Sequence, residues 1–156
     1  MFSVGELVCY PMHGVGHIES VCEQTVLGKT EKFYKLRFVN GNMTAMLPVD
    51  SAEAVGLRYP AGAEECERAL ALLKDDTVRA EDSNWNRRYR DNLELIKKGD
   101  ILSVAEVVKS LLRRDAEKGV SAGEKRMLIM ARQVLITEMS VSLGREEEEL
   151  LREIGG

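Results

Sequence analysis

The segment Asn84-Trp85-Asn86-Arg87-Arg88-Tyr89-Arg90 joins the chain's only tryptophan to three arginines and a second aromatic ring. Guanidinium groups attract phosphate and aromatic faces stack on bases or sugars, so the combination fits contact with nucleic acid. A second set, Cys9-x3-His13-x3-His17-x4-Cys22, offers four soft or borderline donors that could in principle hold zinc. Its spacing speaks against that, because the paired ligands of a structural zinc knuckle lie roughly two to four residues apart. Cys9 and Cys22 also fall inside apolar strand patterns, where a thiol packs as a small hydrophobe. His13 and His17 are the only histidines, and neither belongs to a nucleophile–base arrangement. No catalytic residue, metal, cofactor or small-molecule substrate is therefore expected.

The cationic segment is hidden in the overall composition. The 156 residues carry a net charge of −4, yet residues 84–132 hold 12 basic and 7 acidic groups, while residues 61–83 hold 3 and 7 and residues 133–156 hold 2 and 6. A +5 zone thus lies between two acidic ones. The cysteines Cys9, Cys22 and Cys66 are odd in number and lack a Cys-x-x-Cys spacing, which argues against a disulfide framework and a redox pair. No long apolar run or basic leader is evident, so a cytoplasmic protein without a membrane role is expected.

Two kinds of element must position these groups. Residues 4–48 read as β: Leu7–Tyr10, Gly16–Val21, Phe33–Phe38 and Thr44–Leu47 are separated by turn signals at Pro11 and Gly14, Leu27-Gly28-Lys29 and Asn40-Gly41-Asn42. Strands this short and closely spaced suggest a small, strongly bent barrel with Phe33, Tyr34, Leu36 and Phe38 in its core. Tyr10, Phe33, Tyr34 and Phe38 could alternatively form an aromatic cage for a methylated lysine. After a linker at 57–63 the period becomes helical. The pattern predicts a helix over 64–74 and a second from Ser83 or Asn84 to Gly99, with Trp85, Tyr89, Leu93 and Ile96 on one stripe. A third helix is capped by Asp100, and a fourth opens with the capping box Ser121-Ala122-Gly123-Glu124. A short acidic helix follows Gly144. The aromatic stripe has two readings, a buried helix face or an exposed contact. The helix N-terminus, where free N–H groups favour phosphate, supports the second. Lys125 and Arg126 in the first turn of the fourth helix add cations where an anion is favoured.

These residues resemble the CarD/CdnL family of bacterial transcription regulators over nearly the whole chain. Val4-Gly5-Glu6-x-Val8-x-Tyr10-Pro11-x-His13-Gly14 is similar to the start of the family's Tudor-like barrel, shared with transcription-repair coupling factors. Asn84-Trp85-x-Arg87-Arg88-Tyr89-x-x-Asn92-Leu93, Ala105-Glu106-Val107-Val108, Arg113-Arg114-Asp115 and Val120–Leu128 look like its helical domain.

The resemblance implies an α+β protein, with a Tudor-like barrel at 1–56 and an all-α domain of about five helices at 64–156. It implies a non-enzymatic regulator whose barrel binds the β-subunit of RNA polymerase through Gln24, Thr25, Val26, Met46, Leu47 and Pro48. Some relatives carry arginines where this chain has Gln24 and Met46. Promoter DNA would be met without sequence readout by Asn84, Trp85, Arg87, Arg88, Arg90, Lys125 and Arg126. Trp85 would be a wedge in the minor groove at the upstream edge of the melted bubble. A competing reading is a protein–protein adaptor without a DNA role: a Trp85 buried against Leu93 and Ile96 favours the adaptor, and a solvent-facing one beside Arg88 favours DNA.

Overall fold

A computed structural model describes residues 1–77 and 82–155. The chain divides into two compact units, Met1–Pro60 and Ala61–Gly156. Among the described residues the architecture is α+β, a curled antiparallel sheet followed by five α-helices.

In the first unit, β1 (Leu7–Tyr10), β2 (Gly14–Val26), β3 (Lys29–Phe38) and β4 (Thr44–Pro48) form a four-stranded sheet in sequential order. The curl has local causes. A register shift between Ile18 and Ser20 bulges β2 at Glu19, and bulges increase twist and bend the strand that carries them. Glu19 turns the bulge to use, accepting from Arg37 at 2.9 Å and pairing with Lys35 at 3.3 Å. Gly16 lets β2 approach β3 closely, since a Cβ there would lie 2.8 Å from the Arg37 carbonyl oxygen.

Strand alternation sorts the side chains by face. Val8, Ile18, Tyr34, Leu36 and Leu47 fill the concave side with Ala52 and Leu57. Phe33 does not join them. It precedes buried Tyr34 in β3 and so faces the opposite side, half-buried, which removes it from the expected core and from any aromatic cage. The boundary also differs from the expected linker at 57–63: Leu57 is buried in this core, and Arg58 forms a two-way backbone bridge with Cys9. The first unit keeps the chain through Pro60 because β1 would otherwise leave its outer backbone groups unpaired.

The second unit comprises α1 (Ala63–Lys74), α2 (Trp85–Lys98), α3 (Ile101–Glu117), α4 (Ala122–Leu143) and α5 (Glu147–Ile154). The predicted caps are present. Asn84 accepts from the Arg87 amide, Asp100 from the Ser103 amide, and Gly99 ends α2 at φ 82°. α4 is buried along most of its length through Met127, Leu128, Ala131, Leu135, Ile136 and Met139 and packs against α1, α3 and α5, while α3 packs against α1, α2 and α4. At Ala61, the first residue of this unit, the backbone N–H donates to the buried carboxylate of Glu138 at 2.8 Å. Among the described residues no single helix is long and apolar enough to cross a membrane.

Candidate nucleic-acid interface and docking face

Trp85 is the first residue of α2 and is 43% exposed. Three contacts fix it. Tyr89, one turn on, stacks against it with centroids 5.5 Å apart and planes 24° from parallel. Its Nε1–H donates to the Ser121 hydroxyl at 2.9 Å. Gly123 lies beneath both rings, since a Cβ built there would be 3.6 Å from Tyr89 Cε2 and 3.9 Å from Trp85 Cζ2. The indole N–H is therefore engaged within the protein, and what faces solvent is largely apolar ring.

The buried positions of α2 are Arg88, Asn92 and Ile96; of the expected stripe Trp85, Tyr89, Leu93 and Ile96, Ile96 is buried, Tyr89 and Leu93 are half-buried and Trp85 is exposed. Arg88 is 4% exposed and Glu124 1%. Arg88 Nε and Nη2 donate to the two carboxylate oxygens of Glu124 at 3.0 and 3.4 Å, and Nη1 donates to the Asp82 carbonyl at 3.4 Å. This corrects the expectation that Arg88 lies along a DNA backbone: at 4% exposure its guanidinium is committed to an interior carboxylate and is out of a phosphate's reach. Glu124 also accepts from the Ser121 amide at 3.3 Å, and Ser121 Oγ accepts from the Glu124 amide at 3.1 Å, closing the capping box. Burial alone would raise the Glu124 pKa, but hydrogen bonds from Arg88 and from the Ser121 backbone outweigh it and hold the carboxyl below the usual range.

The remaining candidates are on the surface. Asn84 uses its carboxamide oxygen to cap α2. Arg87 is exposed and lies 3.8 Å from Asp82. Arg90 and Arg126 are exposed. Lys125 pairs with Asp115 at 3.2 Å while half-exposed, a solvated pair that exchanges partners at little cost. Because Trp85 hydrogen-bonds to Ser121, the start of α4 bearing Lys125 and Arg126 is brought beside the start of α2.

The six barrel candidates divide by register. Across the sheet Cys22 pairs with Phe33 and Phe33 with Pro48, Gln24 pairs with Glu31, Val26 with Lys29 and Lys35 with Met46. Gln24, Val26, Met46 and Pro48 therefore share the outer face with Phe33, whereas Thr25 and Leu47 have the opposite parity. Leu47 is 4% exposed in the core, which corrects its assignment as a contact residue. Phe33 was missed as a surface residue because an aromatic in a strand reads as core until its register is known. A surface groove beside it is lined by Gln24, Val26, Leu27, Lys29, Glu31 and Phe33. Among the described residues β4 pairs only with β3, so it is an edge strand of the sheet. The zinc set does not assemble: among the described residues no three His, Cys, Asp or Glu side chains could hold a metal ion.

Comparison with known proteins follows the same division. The model of the CarD-like/TRCF RID domain matches residues 2–59, and that of the CarD C-terminal domain matches residues 68–154. "Putative transcription factor YdeB" of Bacillus subtilis strain 168 is 33% identical over 153 residues, covering 96% of this chain and 97% of that one. The solution structure of the 72-residue N-terminal domain of Myxococcus xanthus CarD aligns at 27% identity over 38% of this chain and 79% of that one, with a TM-score of 0.33. With both family domains matched in order and a relative similar from end to end, this chain belongs to the CarD family of transcription factors.

Proposed function

We propose that the chain docks on the β-subunit of RNA polymerase through the outer face and β4 edge of its sheet, and stabilises the open promoter complex by presenting Trp85 to the minor groove at the upstream edge of the bubble. The observation that carries this reading is the exposed tryptophan at a helix N-terminus, fixed by Tyr89 and Ser121 within the cationic stretch of the chain. An apolar wedge gains most where base steps are already unstacked, so it binds melted DNA better than closed duplex. A ligand shifts an equilibrium only by that difference, and about 1.4 kcal/mol in favour of the open complex changes its population tenfold. The exposure of Trp85 favours this reading over a protein–protein adaptor, which a buried tryptophan would have favoured.

The exposed cations Arg87, Arg90, Lys125 and Arg126 serve the backbone, and the interior pair Arg88–Glu124 holds the scaffold that presents them. Roughly four phosphate contacts give a salt slope of about −3.6, a weak and salt-sensitive grip on its own. Tethering to polymerase supplies the local concentration that makes such a grip effective. On the barrel, Gln24, Val26, Phe33, Met46 and Pro48 supply a half-apolar patch, and the edge strand β4 offers backbone hydrogen bonds to an added strand.

The deciding experiment is open-complex lifetime with Trp85→Ala. Co-purification with polymerase should be unchanged and the lifetime shortened. A lifetime equal to wild type removes the wedge from the mechanism.

A further inference from the structure

We infer that Ser121 is the positioning residue for Trp85, coupling the capping box of α4 to the orientation of the ring. The inference rests on the wedge reading above and adds a residue that neither composition nor charge singles out. A serine hydroxyl has two acceptor lone pairs and one proton. Here Trp85 Nε1–H and the Glu124 amide both donate to Oγ, at 2.9 and 3.1 Å, so both acceptor positions are engaged. The oxygen cannot drift, because Ser121 is also held through its own amide by Glu124, and Glu124 is in turn gripped by Arg88 from inside the domain. The chain of contacts runs from a buried ion pair, through a helix cap, to the edge of an exposed indole.

The geometry resists both motions open to a tryptophan at a helix end. Swinging the indole away from α4 breaks the bond to Ser121 Oγ, and turning its plane loses the stack on Tyr89 and the contact with Gly123. A ring left free would have to be ordered on meeting DNA, and that ordering lowers affinity. Ser121 does the ordering in advance.

The test exploits the fact that Trp85 is the only tryptophan. Ser121→Gly removes the acceptor but keeps a residue that caps helices nearly as well as serine, and Ser121→Thr keeps both acceptor and cap. Tryptophan anisotropy of the free protein should fall in Ser121→Gly and return in Ser121→Thr. In the wild type, the single indole N–H cross-peak should be protected from solvent exchange although Trp85 is half-exposed. With polymerase on a promoter, Ser121→Gly should shorten open-complex lifetime about three- to tenfold, the range expected for one lost hydrogen bond. In a Trp85→Ala background it should shorten it no further.

Unchanged anisotropy in Ser121→Gly, rapid exchange of the wild-type indole N–H, or an equal loss of lifetime in the Trp85→Ala background would each overturn the inference. So would a fall in anisotropy with an unaltered lifetime. If Ser121→Gly does not fold, indole exchange in the wild type and lifetime in Ser121→Thr decide. A lifetime insensitive to Trp85→Ala itself refutes the wedge reading, and anisotropy then judges separately whether Ser121 holds the ring.

Discussion

Arg88 of α2 and Glu124 of α4 meet at 3.0 Å with 4% and 1% of their surfaces exposed, a bidentate ion pair formed across 36 residues of sequence. It ties together the two helix starts that carry Trp85 and Ser121, so the stability of this pair and the presentation of the tryptophan are linked.

Removing Arg88 takes the bidentate partner from the buried Glu124 carboxylate and leaves it only Arg114, whose Nε lies 3.9 Å away, at a cost of up to about 3–5 kcal/mol. Arg88→Ala should lower unfolding stability by that order in urea titration. Arg90→Ala, on the exposed side of the same helix, should change it by less than about 0.5 kcal/mol. Equal effects of the two would mean that the pair is not buried in solution.

The pair also predicts an acid limb. Glu124 is held below the usual carboxylate range in the folded chain, so the unfolded state binds the proton more readily. Its contribution is complete at neutral pH and is lost as pH falls from the ordinary glutamate range, about 4.3, through the depressed folded value. Glu124→Gln should lower stability at pH 7 and flatten the decline below about pH 4.3, as read from denaturation midpoints across pH.

Salt dependence separates the cations by role. Replacing Arg90 or Lys125 with alanine should reduce the magnitude of the salt slope of DNA binding by about 0.9 for each phosphate contact removed, with little dependence on DNA sequence. An unchanged slope for both would place the DNA-facing cations elsewhere.

Neighbouring residues of β4 should behave oppositely. Met46→Glu, on the outer face and 43% exposed, should weaken retention on the polymerase β-subunit while leaving the thermal midpoint nearly unchanged. Leu47→Ala, in the core, should cost about 2–5 kcal/mol of stability. Retained binding by Met46→Glu would move the docking face off this side of the sheet.

The hairpin tip offers a stabilising change. Leu27 and Gly28 connect β2 to β3 with φ values of 52° and 78°, the left-handed backbone of a two-residue turn that favours Asn-Gly. Leu27 is 99% exposed, so it has no packing to offset the strain. Leu27→Asn should stabilise the protein by about 1 kcal/mol in thermal or urea unfolding.

The sequence by itself determined the elements and their order, because these follow from local rules. Turn residues bounded the strands, Asn84, Asp100 and the Ser121/Glu124 box marked helix starts, and Gly99 marked a helix end. The separate position of Trp85 at the start of its helix was legible for the same reason. Only the tertiary structure decided which face of each element is covered. Hydrophobic period placed the α2 stripe on Trp85, Tyr89, Leu93 and Ile96; Ile96 is buried, yet the other buried positions are Arg88 and Asn92, since a carboxylate on a distant helix makes an arginine acceptable inside. In the sheet, sequence could not tell Phe33 from Tyr34 or Met46 from Leu47, because the choice depends on cross-strand register and on the bulge at Glu19. Composition marks which residues are able to make a site; long-range pairing decides which of them reach the surface and which hold the others in place.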